Sequence, residues 1–491
     1  MATTLKNIIF YFNAGVAVKI LGVFKAFFIA KMLQPADYGL WTTLSIIVSY
    51  APIISFGTVE ALLKKYPYYI EKGETFKAKE IEKGVLGSII LSVAVFLSMG
   101  FTFNYFFSNK EIDSILFLIR LTVITSALSL LSGYFYHRFT AHQLFKIISI
   151  IDVFRSALTF LIVIVCSFYW GLTGTVISFL LCEIVVLIFS IFANRKLIGE
   201  MGTSYNFKLL ADLVRIGFPI TALWWVFILQ TSADRMVAIS MLGKVDTGYY
   251  GLGVSIVSMV VLLPSTVARV LYPKVSGAVG KLSSRSEIIS YVVKPTQALS
   301  LLLPVLIGGL ILACPYIYTN ILPKYYNGLA SAQILLIGSF FICQIRTGAN
   351  YLIANDRQNI LLGYFLISLV VNIVGNISLV KLGFNIEGIA ISTSFSGALL
   401  ASIVWINVFK EMGYGVFERI KLLLEIYLPF LILSIIFVVS FFIYPNFLNT
   451  PSLFCMVNMA VFLFLFIGSI LLIPPLKKRS TDLIMLTKNR F

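Results

Sequence analysis

Charged side chains lie inside long apolar runs of the sequence, where charge is rare, and six of them are the candidates for chemistry. Three are cations and three are carboxylates: Lys19, Lys25, Arg235, Glu60, Glu183 and Asp234. In apolar surroundings a lysine or arginine attracts an anion such as phosphate far more strongly than it does in water. A carboxylate in the same surroundings needs a partner or takes up a proton. These residues are therefore the first candidates for a binding or coupling site.

The composition indicates what surrounds these charges. Of 491 residues, 59% are hydrophobic and 12% are charged, whereas a soluble chain carries charge on roughly a quarter of its positions. Apolar runs of about 20 residues, long enough to cross a bilayer as helices, recur from end to end. The sequence predicts an all-α integral membrane protein. In such a protein a charge that faces lipid costs from about 2.5 to over 10 kcal/mol, so these six should face a partner or a wet cavity.

The apolar runs predict about fourteen transmembrane helices in two pseudo-symmetric bundles of six, followed by two more. The expected domains are an N-terminal bundle at 1–200, a C-terminal bundle at 210–410, and two extra helices with a basic cytoplasmic tail at 411–491. The runs lie near residues 8–33, 40–62, 84–107, 115–136, 147–169, 172–193, 213–242, 248–272, 295–322, 328–353, 360–380, 385–409, 421–444 and 453–475.

The basic residues predict the orientation. Segments on one side hold 26 lysines and arginines, and the other side holds five, Lys31, Lys110, Lys244, Lys324 and Lys381. The positive-inside rule then places both termini in the cytoplasm. The outer connections are too short for a catalytic domain. The net charge of +17 is dispersed over loops, so we expect no nucleic-acid partner. The five cysteines show no paired short spacing, and we expect no metal and no cofactor.

A short segment repeats along the chain. Asp37-Tyr38-Gly39 lies 209 residues before Asp246-Thr247-Gly248. Further along each half a Tyr-Pro pair occurs at the end of an apolar run, in "EALLKKYP" from 60 and in "ARVLYPKV" from 268. We expect the two glycines to adopt positive φ in a tight turn and the two aspartates to cap the returning helix. Internal repeats of this kind are typical of secondary transporters, whose substrate site lies between the halves near the bilayer midplane.

The first-half pattern "AKMLQPADYGLW" with "GTVEALLKKYP", and the second-half segments "LVRIGFPITALWW" and "SADRMVAISMLGKVDTGYY", resemble the Wzx-type polysaccharide-export flippases. These belong to the superfamily of multidrug, oligosaccharidyl-lipid and polysaccharide exporters. The resemblance implies two six-helix bundles that alternate between inward-facing and outward-facing states in a bacterial inner membrane. It also implies an undecaprenyl-pyrophosphate-linked oligosaccharide substrate, for example an O-antigen unit used in lipopolysaccharide biosynthesis.

Lys19, Lys25 and Arg235 are the predicted substrate-binding cations, because a pyrophosphate headgroup carries two or more negative charges. Lys19 and Lys25 are six residues apart and so lie about 120° apart around a helix, which excludes a single clamp. Asp234 lies 209 residues after Lys25, so the two residues occupy equivalent positions of the repeat. The alternative is that Lys19 snorkels to the interface and that Asp234 and Arg235 pair with neighbouring helices.

Three carboxylates are the candidates for ion coupling or gating: Glu183, Glu60 and Asp234. Glu183 stands in "FLLCEIVVL" and needs a partner or a raised pKa there. Glu60 has Lys64 four residues on, which predicts a pair on the helix surface. Asp152 and Arg155 are predicted to pair within their own helix, three residues apart.

The loop "KKYPYYIEKGETFKAKEIEKG" from 64 suits either a solvated connector or a short helix at the headgroup surface. For the whole chain the favoured function is a flippase rather than an enzyme, with membrane lipids and other polysaccharide assembly proteins as further partners. One alternative is an ion-coupled exporter of drugs or organic cations, although lysines in the first run disfavour it. An integral-membrane polymerase or glycosyltransferase is a weaker alternative, because the outer loops are short.

Overall fold

A computed structural model describes residues 2–106, 113–199, 201–280, 285–443 and 468. Within these ranges the chain is helical, which confirms the all-α membrane class. Nine described helices are long and apolar enough to cross a membrane, or ten when a bent pair is counted as one span. Apart from Gly468, the last predicted span, at 453–475, and the basic tail lie outside the described residues.

Chain contacts divide the protein into two compact units, Met1–Ser232 and Ala233–Phe491. The first unit contains six helices and most of a seventh: α1 (Ala2–Met32), α2 (Pro35–Tyr50), α3 (Thr58–Glu71), α4 (Thr75–Phe106), α5 (Asp113–Ala141), α6 (Phe145–Leu197) and α7 (Phe207–Met241), which ends in the second unit. Apolar side chains of α3, α4, α5 and α6 form its core, and include Leu62, Val85, Phe139 and Val186.

The second unit contains the end of α7 and six further helices: α8 (Lys244–Gly280), α9 (Arg285–Tyr316), α10 (Leu329–Ala354), α11 (Gln358–Lys381), α12 (Asn385–Glu411) and α13 (Val416–Ile443). A core cluster joins α7, α8, α10 and α12 through Ala238, Tyr250, Leu335 and Ile389. The indole of Trp405 in α12 is fully buried and donates to the backbone carbonyl of Gln344 in α10 at 2.9 Å.

The predicted span at 40–62 is broken in the structure. A 3₁₀ turn at Ala51–Ser55 follows α2, and Phe56 and Gly57 then adopt positive φ of 46° and 83° before α3 begins. Gly57 lies against Gly217 of α7, so closely that a Cβ on either residue would overlap the other's backbone. Two residues beyond Gly217, α7 bends by 53° at Pro219, where a proline removes a helix hydrogen bond. The break in the second span and the bend in the seventh are therefore in contact.

The two predicted spans at 147–169 and 172–193 form one helical hairpin, α6. The chain reverses at Gly171, whose φ of 53° and ψ of −128° are not helical. Contacts across the hairpin join Ser167 to Thr175 at 2.8 Å and Thr159 to Cys182 at 2.9 Å. Residues that are 8 and 23 positions apart in sequence thus become neighbours, which confirms two antiparallel crossings.

The repeat is confirmed at the helix boundaries, but its turn chemistry differs from the prediction. The ends of α1 at Met32 and α7 at Met241 are 209 residues apart, as are the starts of α2 and α8. Gly39 and Gly248 lie inside helices and do not have positive φ. Asp37 stands in the first turn of α2, whose cap residue is Gln34, with no side-chain cap bond. In the second turn the positive φ of 90° belongs to Gly243. Each helix starts earlier than the Asp-x-Gly pattern suggested, so the glycine is already helical.

Candidate functional site

Lys25 lies on α1, and its side chain is half-buried in the first unit. Its ammonium is 4.9 Å from the centre of the Phe179 ring in α6, and Trp41 of α2 packs against the same ring, with centroids 4.5 Å apart. Arg155 and Glu183 are within electrostatic range. Among the described residues the ammonium of Lys25 makes this cation–π contact and no ion pair.

Beside Lys25, the two arms of α6 are joined by an ion pair. A terminal nitrogen of Arg155 is 2.7 Å from Glu183 Oε1, and the Ser132 hydroxyl of α5 donates to Glu183 Oε2 at 2.9 Å. The second terminal nitrogen of Arg155 is 3.2 Å from the same hydroxyl. Glu183 thus has the partner that its position required. The predicted partner of Arg155 was Asp152, but the structure gives it Glu183, because the hairpin brings residues 28 positions apart together.

The charges of this region do not cancel. Glu183 neutralises Arg155. The positive charge of Lys25 is not neutralised in this way, and it lies where α1, α2 and α6 meet. Lys19, six residues earlier on α1, has an exposed side chain, whereas that of Lys25 is half-buried. Of the predicted cations of the first unit, Lys25 is therefore the one whose surroundings fit the binding of an anion.

Asp234 lies on α7 in the second unit and is held by uncharged side chains. Its two carboxylate oxygens accept hydrogen bonds from the Tyr250 hydroxyl at 2.8 Å and from Asn376 Nδ2 at 2.9 Å. Tyr250 is also 3.3 Å from Thr393 Oγ1, and Asn372 Nδ2 donates to that oxygen at 3.2 Å. Asp234 is 5% exposed. The carboxylate is thus deeply buried and held by donors from α8 and α11.

The Asp234 cluster offers several oxygen atoms at one place. Asn376 Nδ2 donates to Asn372 Oδ1 at 3.2 Å, and Asn376 Oδ1 is buried with no partner among the described residues. Carboxylate, amide and hydroxyl oxygens are ligands of hard cations, and a buried carboxylate is also a place for a proton. Arg235, the next residue, is half-buried and within electrostatic range of Tyr250.

Glu60 lies in the first turn of α3, half-buried, with its carboxylate in hydrogen-bonding reach of Thr221 on α7. The predicted pair with Lys64 is not formed, because Lys64 points out as an exposed side chain while Glu60 faces α7. Glu60 Oε2 and the indole nitrogen of Trp225 are both buried without a hydrogen-bond partner in the described structure. Glu60 therefore stands next to the contact between Gly57 and Gly217.

A buried ionic network joins α4, α5 and α6 at the cytoplasmic end expected from the charge pattern. Arg138 donates two hydrogen bonds to Glu82, from Nε at 3.2 Å and from a terminal nitrogen at 3.1 Å, and a third to Asn194 at 2.7 Å. His142 Nε2 is 2.6 Å from Glu82 Oε1. Glu82 is 6% exposed and Arg138 3%. A bidentate arginine with further donors satisfies a buried carboxylate, so this network is structural.

Tyr66 of α3 connects that network to its helix. Its hydroxyl is 3.3 Å from His142 Nδ1, and the two rings lie 4.5 Å apart. Burial raises the pKa of Tyr66 to about 12. The phenol therefore keeps its proton at neutral pH, and His142 contacts Tyr66 through Nδ1 and Glu82 through Nε2. His142 thus contacts side chains of both α3 and α4.

Several site residues had no clear signal in the sequence. Trp41 and Phe179 are ordinary aromatics of apolar runs, and they meet only because α2 packs on α6. Asn372 and Asn376 did carry a signal, since two amides four residues apart in an apolar run share one helix face. Glu82 was placed in a loop by hydropathy, although it belongs to α4.

The helical architecture, the duplicated boundaries and the intramembrane charges define a multi-pass membrane protein with a transporter fold. The model of the family described as polysaccharide biosynthesis protein matches residues 4–279, more than half of the chain. The chain belongs to this family. A search of curated protein sequences finds no match.

Solved structures share the fold at low sequence identity. A lipid II flippase, MurJ, in an inward closed conformation superposes with a TM-score of 0.72 at 17% identity, covering 94% of this chain and 97% of that one. An inward-facing multidrug resistance MATE family transporter of the MOP superfamily superposes with a TM-score of 0.64 at 13% identity, covering 82% of this chain and 94% of that one. The Vibrio cholerae MATE transporter VcmN superposes with a TM-score of 0.57 at 14% identity, covering 84% of this chain and 98% of that one. Both groups have the fold of this chain, which alone does not distinguish their substrates.

Proposed function

We propose that this protein is a flippase that moves an undecaprenyl-pyrophosphate-linked oligosaccharide, such as an O-antigen unit, from the cytoplasmic to the outer leaflet of a bacterial inner membrane. It works by alternating access, with both termini in the cytoplasm and without covalent chemistry. Lys25 binds the pyrophosphate. The observation that carries the proposal is the intramembrane ammonium of Lys25, which makes no ion pair among the described residues.

The charge of the Lys25 region supports an anionic substrate. Arg155 is neutralised by Glu183 at 2.7 Å, so the positive charge of Lys25 remains available to a ligand. In surroundings less polar than water, such a charge attracts a pyrophosphate strongly. The family match to polysaccharide biosynthesis proteins and the MurJ-like fold agree with this substrate class. Arg235 and Lys19 are secondary candidates for the same role.

The alternative is an ion-coupled exporter of drugs or organic cations, supported by the MATE-like fold. An organic cation would need a carboxylate at the binding position. In the first unit, Glu183 is already occupied by Arg155 and Ser132. The buried carboxylate of the second unit, Asp234, is fully enclosed by hydrogen-bonding side chains, which suits a proton or a small monovalent cation better than a drug.

We therefore assign ion coupling to Asp234. Its uncharged partners can stabilise either a carboxylate with a bound cation or a protonated carboxyl group. Glu60 is the candidate for gating, because it lies beside the broken span and the bend of α7. Glu183 has a structural role in this scheme, since its pairing with Arg155 closes the α6 hairpin.

The substrate assignment is tested in cells that lack the protein and carry a labelled lipid-linked oligosaccharide. We expect the label to accumulate on the cytoplasmic face, to be cleared by the intact chain, and to remain there with Lys25→Ala. Lys25→Arg, which keeps the charge, should restore part of the transport. Lys31→Ala, at the exposed end of α1, is the matched control and should transport normally.

Two outcomes would contradict the proposal. Full surface glycan with Lys25→Ala, at normal protein levels, would remove Lys25 from the binding site. Clearance of an organic cation dye by the intact chain, with no effect on the lipid-linked oligosaccharide, would favour the antiporter.

The coupling assignment has its own measurement. Transport into inverted membrane vesicles should respond to an imposed proton or sodium gradient in the intact chain. Asp234→Asn should abolish that response while leaving substrate binding in place, because the amide keeps the shape but neither charge nor titration. Tyr250→Phe keeps the carboxylate and should preserve the response at a shifted ion concentration. An unchanged gradient response in Asp234→Asn would exclude Asp234 as the coupling group.

A further inference from the structure

The segment that joins α3 to α4, residues 64–79, forms an exposed surface of lysines and aromatic rings, which we call the α3–α4 corner. The buried side of α3 uses Val59, Leu62 and Tyr66. Its outer side exposes Lys64, Tyr68 and Lys72. Gly73, with a φ of 78°, turns the chain into α4. The proposed transport function does not use any of these exposed residues.

The lysines of the corner are arranged around tyrosine rings. Lys72 and Lys65 place their ammonium groups 4.6 and 5.4 Å from the centre of the Tyr68 ring, and Lys77 lies 5.8 Å from that of Tyr69. Lys77 also pairs with Glu74 at 2.7 Å. Among the described residues Lys65 and Lys72 have no carboxylate within ion-pair distance. Two positive charges therefore flank one exposed ring, and neither forms an ion pair in the described structure.

A large apolar side chain stands next to these charges. Phe76, the second residue of α4, is 81% exposed. The apolar span that begins with α4 runs over Thr75–Thr102, 28 residues, or about 42 Å as a helix. A hydrocarbon core is about 30 Å thick, so the first turns of α4 extend into the headgroup layer. There an exposed phenylalanine beside lysines is in its preferred environment.

We propose that the α3–α4 corner binds the phosphodiester headgroups of anionic phospholipids in the cytoplasmic leaflet. Lys65 and Lys72 contact the phosphate, Tyr68 lies against the glycerol region, and Phe76 inserts at the acyl boundary. The cytoplasmic leaflet is negatively charged, and the distribution of basic residues places the corner on that side.

The α3–α4 corner fits lipid better than a protein partner because of its depth in the membrane and its exposed side chains. The corner lies in the headgroup layer, where anionic lipid is present at high concentration. Its exposed charges are flexible lysines that act as point charges, and phosphate accepts such donors without a fixed geometry. Anchoring α3 in this way would hold the helix that follows the break at Gly57.

The test reconstitutes the purified full chain in bilayers of equal parts phosphatidylglycerol and phosphatidylcholine, extracts it gently, and counts retained lipids by mass spectrometry. The intact chain should retain more phosphatidylglycerol than phosphatidylcholine. Lys65→Gln with Lys72→Gln should lower that retention about fivefold for each lysine removed, since each lysine near an anionic surface contributes about that factor. Lys65→Arg with Lys72→Arg should keep it.

The matched control is Lys196→Gln with Lys410→Gln, which removes the same charge from two other exposed cytoplasmic helix ends. It should retain lipid within about twofold of the intact chain. A fluorophore on Phe76→Cys should be quenched more by brominated phosphatidylglycerol than by brominated phosphatidylcholine.

Three results would overturn the proposal: an equal loss in both double variants, no loss in the corner variant, or no quenching at position 76. Unchanged lipid retention combined with loss of a co-purifying cytoplasmic assembly protein would instead make the corner a protein-docking surface. These readouts are independent of oligosaccharide transport, so the proposed function stands or fails separately.

Discussion

Lys25 of α1 and Asp234 of α7 occupy equivalent positions of the two repeats and carry opposite charges. The aromatic residues that follow on the next helix, Trp41 and Tyr250, are equivalent too, each 16 positions further along. In the second unit Tyr250 donates directly to Asp234 at 2.8 Å. In the first unit Trp41 meets Lys25 only through the Phe179 ring that both contact.

The difference extends to the hairpins behind these residues. The arms of α6 are joined by Arg155 and Glu183. The helices α11 and α12 begin 213 residues after the corresponding arms, which sets Ser368 and Ser396 at the equivalent positions. There Ser368 donates to the backbone carbonyl of Ser396 at 3.0 Å. Duplication thus preserved the contact points while their chemistry diverged, so that one repeat has a surplus cation and the other a buried carboxylate.

The largest expected effect concerns the second span, which is broken in the first repeat and continuous in the second. Gly57→Ala places a Cβ in the backbone of Gly217 at a φ of 83°, and we expect a loss of about 3 kcal/mol or more in the free energy of unfolding. The equivalent position in α8 is Thr266, whose hydroxyl bonds to Leu262 of the preceding turn. Thr266→Ala should cost less than about 1 kcal/mol.

Thermal unfolding of the purified variants in detergent measures this difference. If Gly57→Ala and Thr266→Ala unfold at the same temperature, the contact between Gly57 and Gly217 does not constrain the fold.

The next effect tests the ion pair against its serine counterpart. Glu183→Ser leaves Arg155 partly buried without its carboxylate and should cost about 2 kcal/mol or more. The double variant Arg155→Ser with Glu183→Ser copies the pair of the second repeat, and we expect it to recover at least half of that loss. Unfolding in denaturant, compared in a double-mutant cycle, gives the coupling between the two positions. Additive losses would mean that the α6 hairpin does not depend on the pair.

The smallest effect compares the two aromatic residues. Tyr250→Phe removes a hydrogen bond to a fully buried carboxylate and should cost about 2 kcal/mol. Trp41→Phe keeps a ring against Phe179 and should cost about 1 kcal/mol. The same unfolding measurement ranks the pair. A larger loss in Trp41→Phe than in Tyr250→Phe would contradict the expectation that the direct hydrogen bond to Asp234 stabilises the fold more than the ring contact with Phe179 does.

Much of the fold follows from local features of the sequence. Apolar runs of sufficient length predict helices, and the repeated Asp-x-Gly segment predicts two matching hairpins. Even so, the pattern predicted turns at Gly39 and Gly248, whereas both residues are helical. Glycine can adopt either a helical or a turn conformation, so the neighbouring residues determine which of the two it takes. The break at Phe56 and Gly57 also had no hydropathy signal, since the residues on both sides are apolar.

The candidate site was less predictable than the fold. Spacing paired Glu60 with Lys64 and Asp152 with Arg155, since only partners on the same helix can be seen in a sequence. The structure pairs Arg155 with Glu183, 28 positions away, and Asp234 with Asn376, 142 positions away. Such partners are set by helix packing, which no local pattern encodes.

The sequence by itself determined that this is a duplicated helical membrane protein with cations and carboxylates at membrane depth, because bilayer thickness and the cost of buried charge act on every residue locally. The tertiary structure decided which of those charges are neutralised. Arg155 is satisfied by Glu183, Asp234 is enclosed by neutral donors, and Lys25 keeps its charge, because only the packing of distant helices determines which groups come within hydrogen-bonding distance.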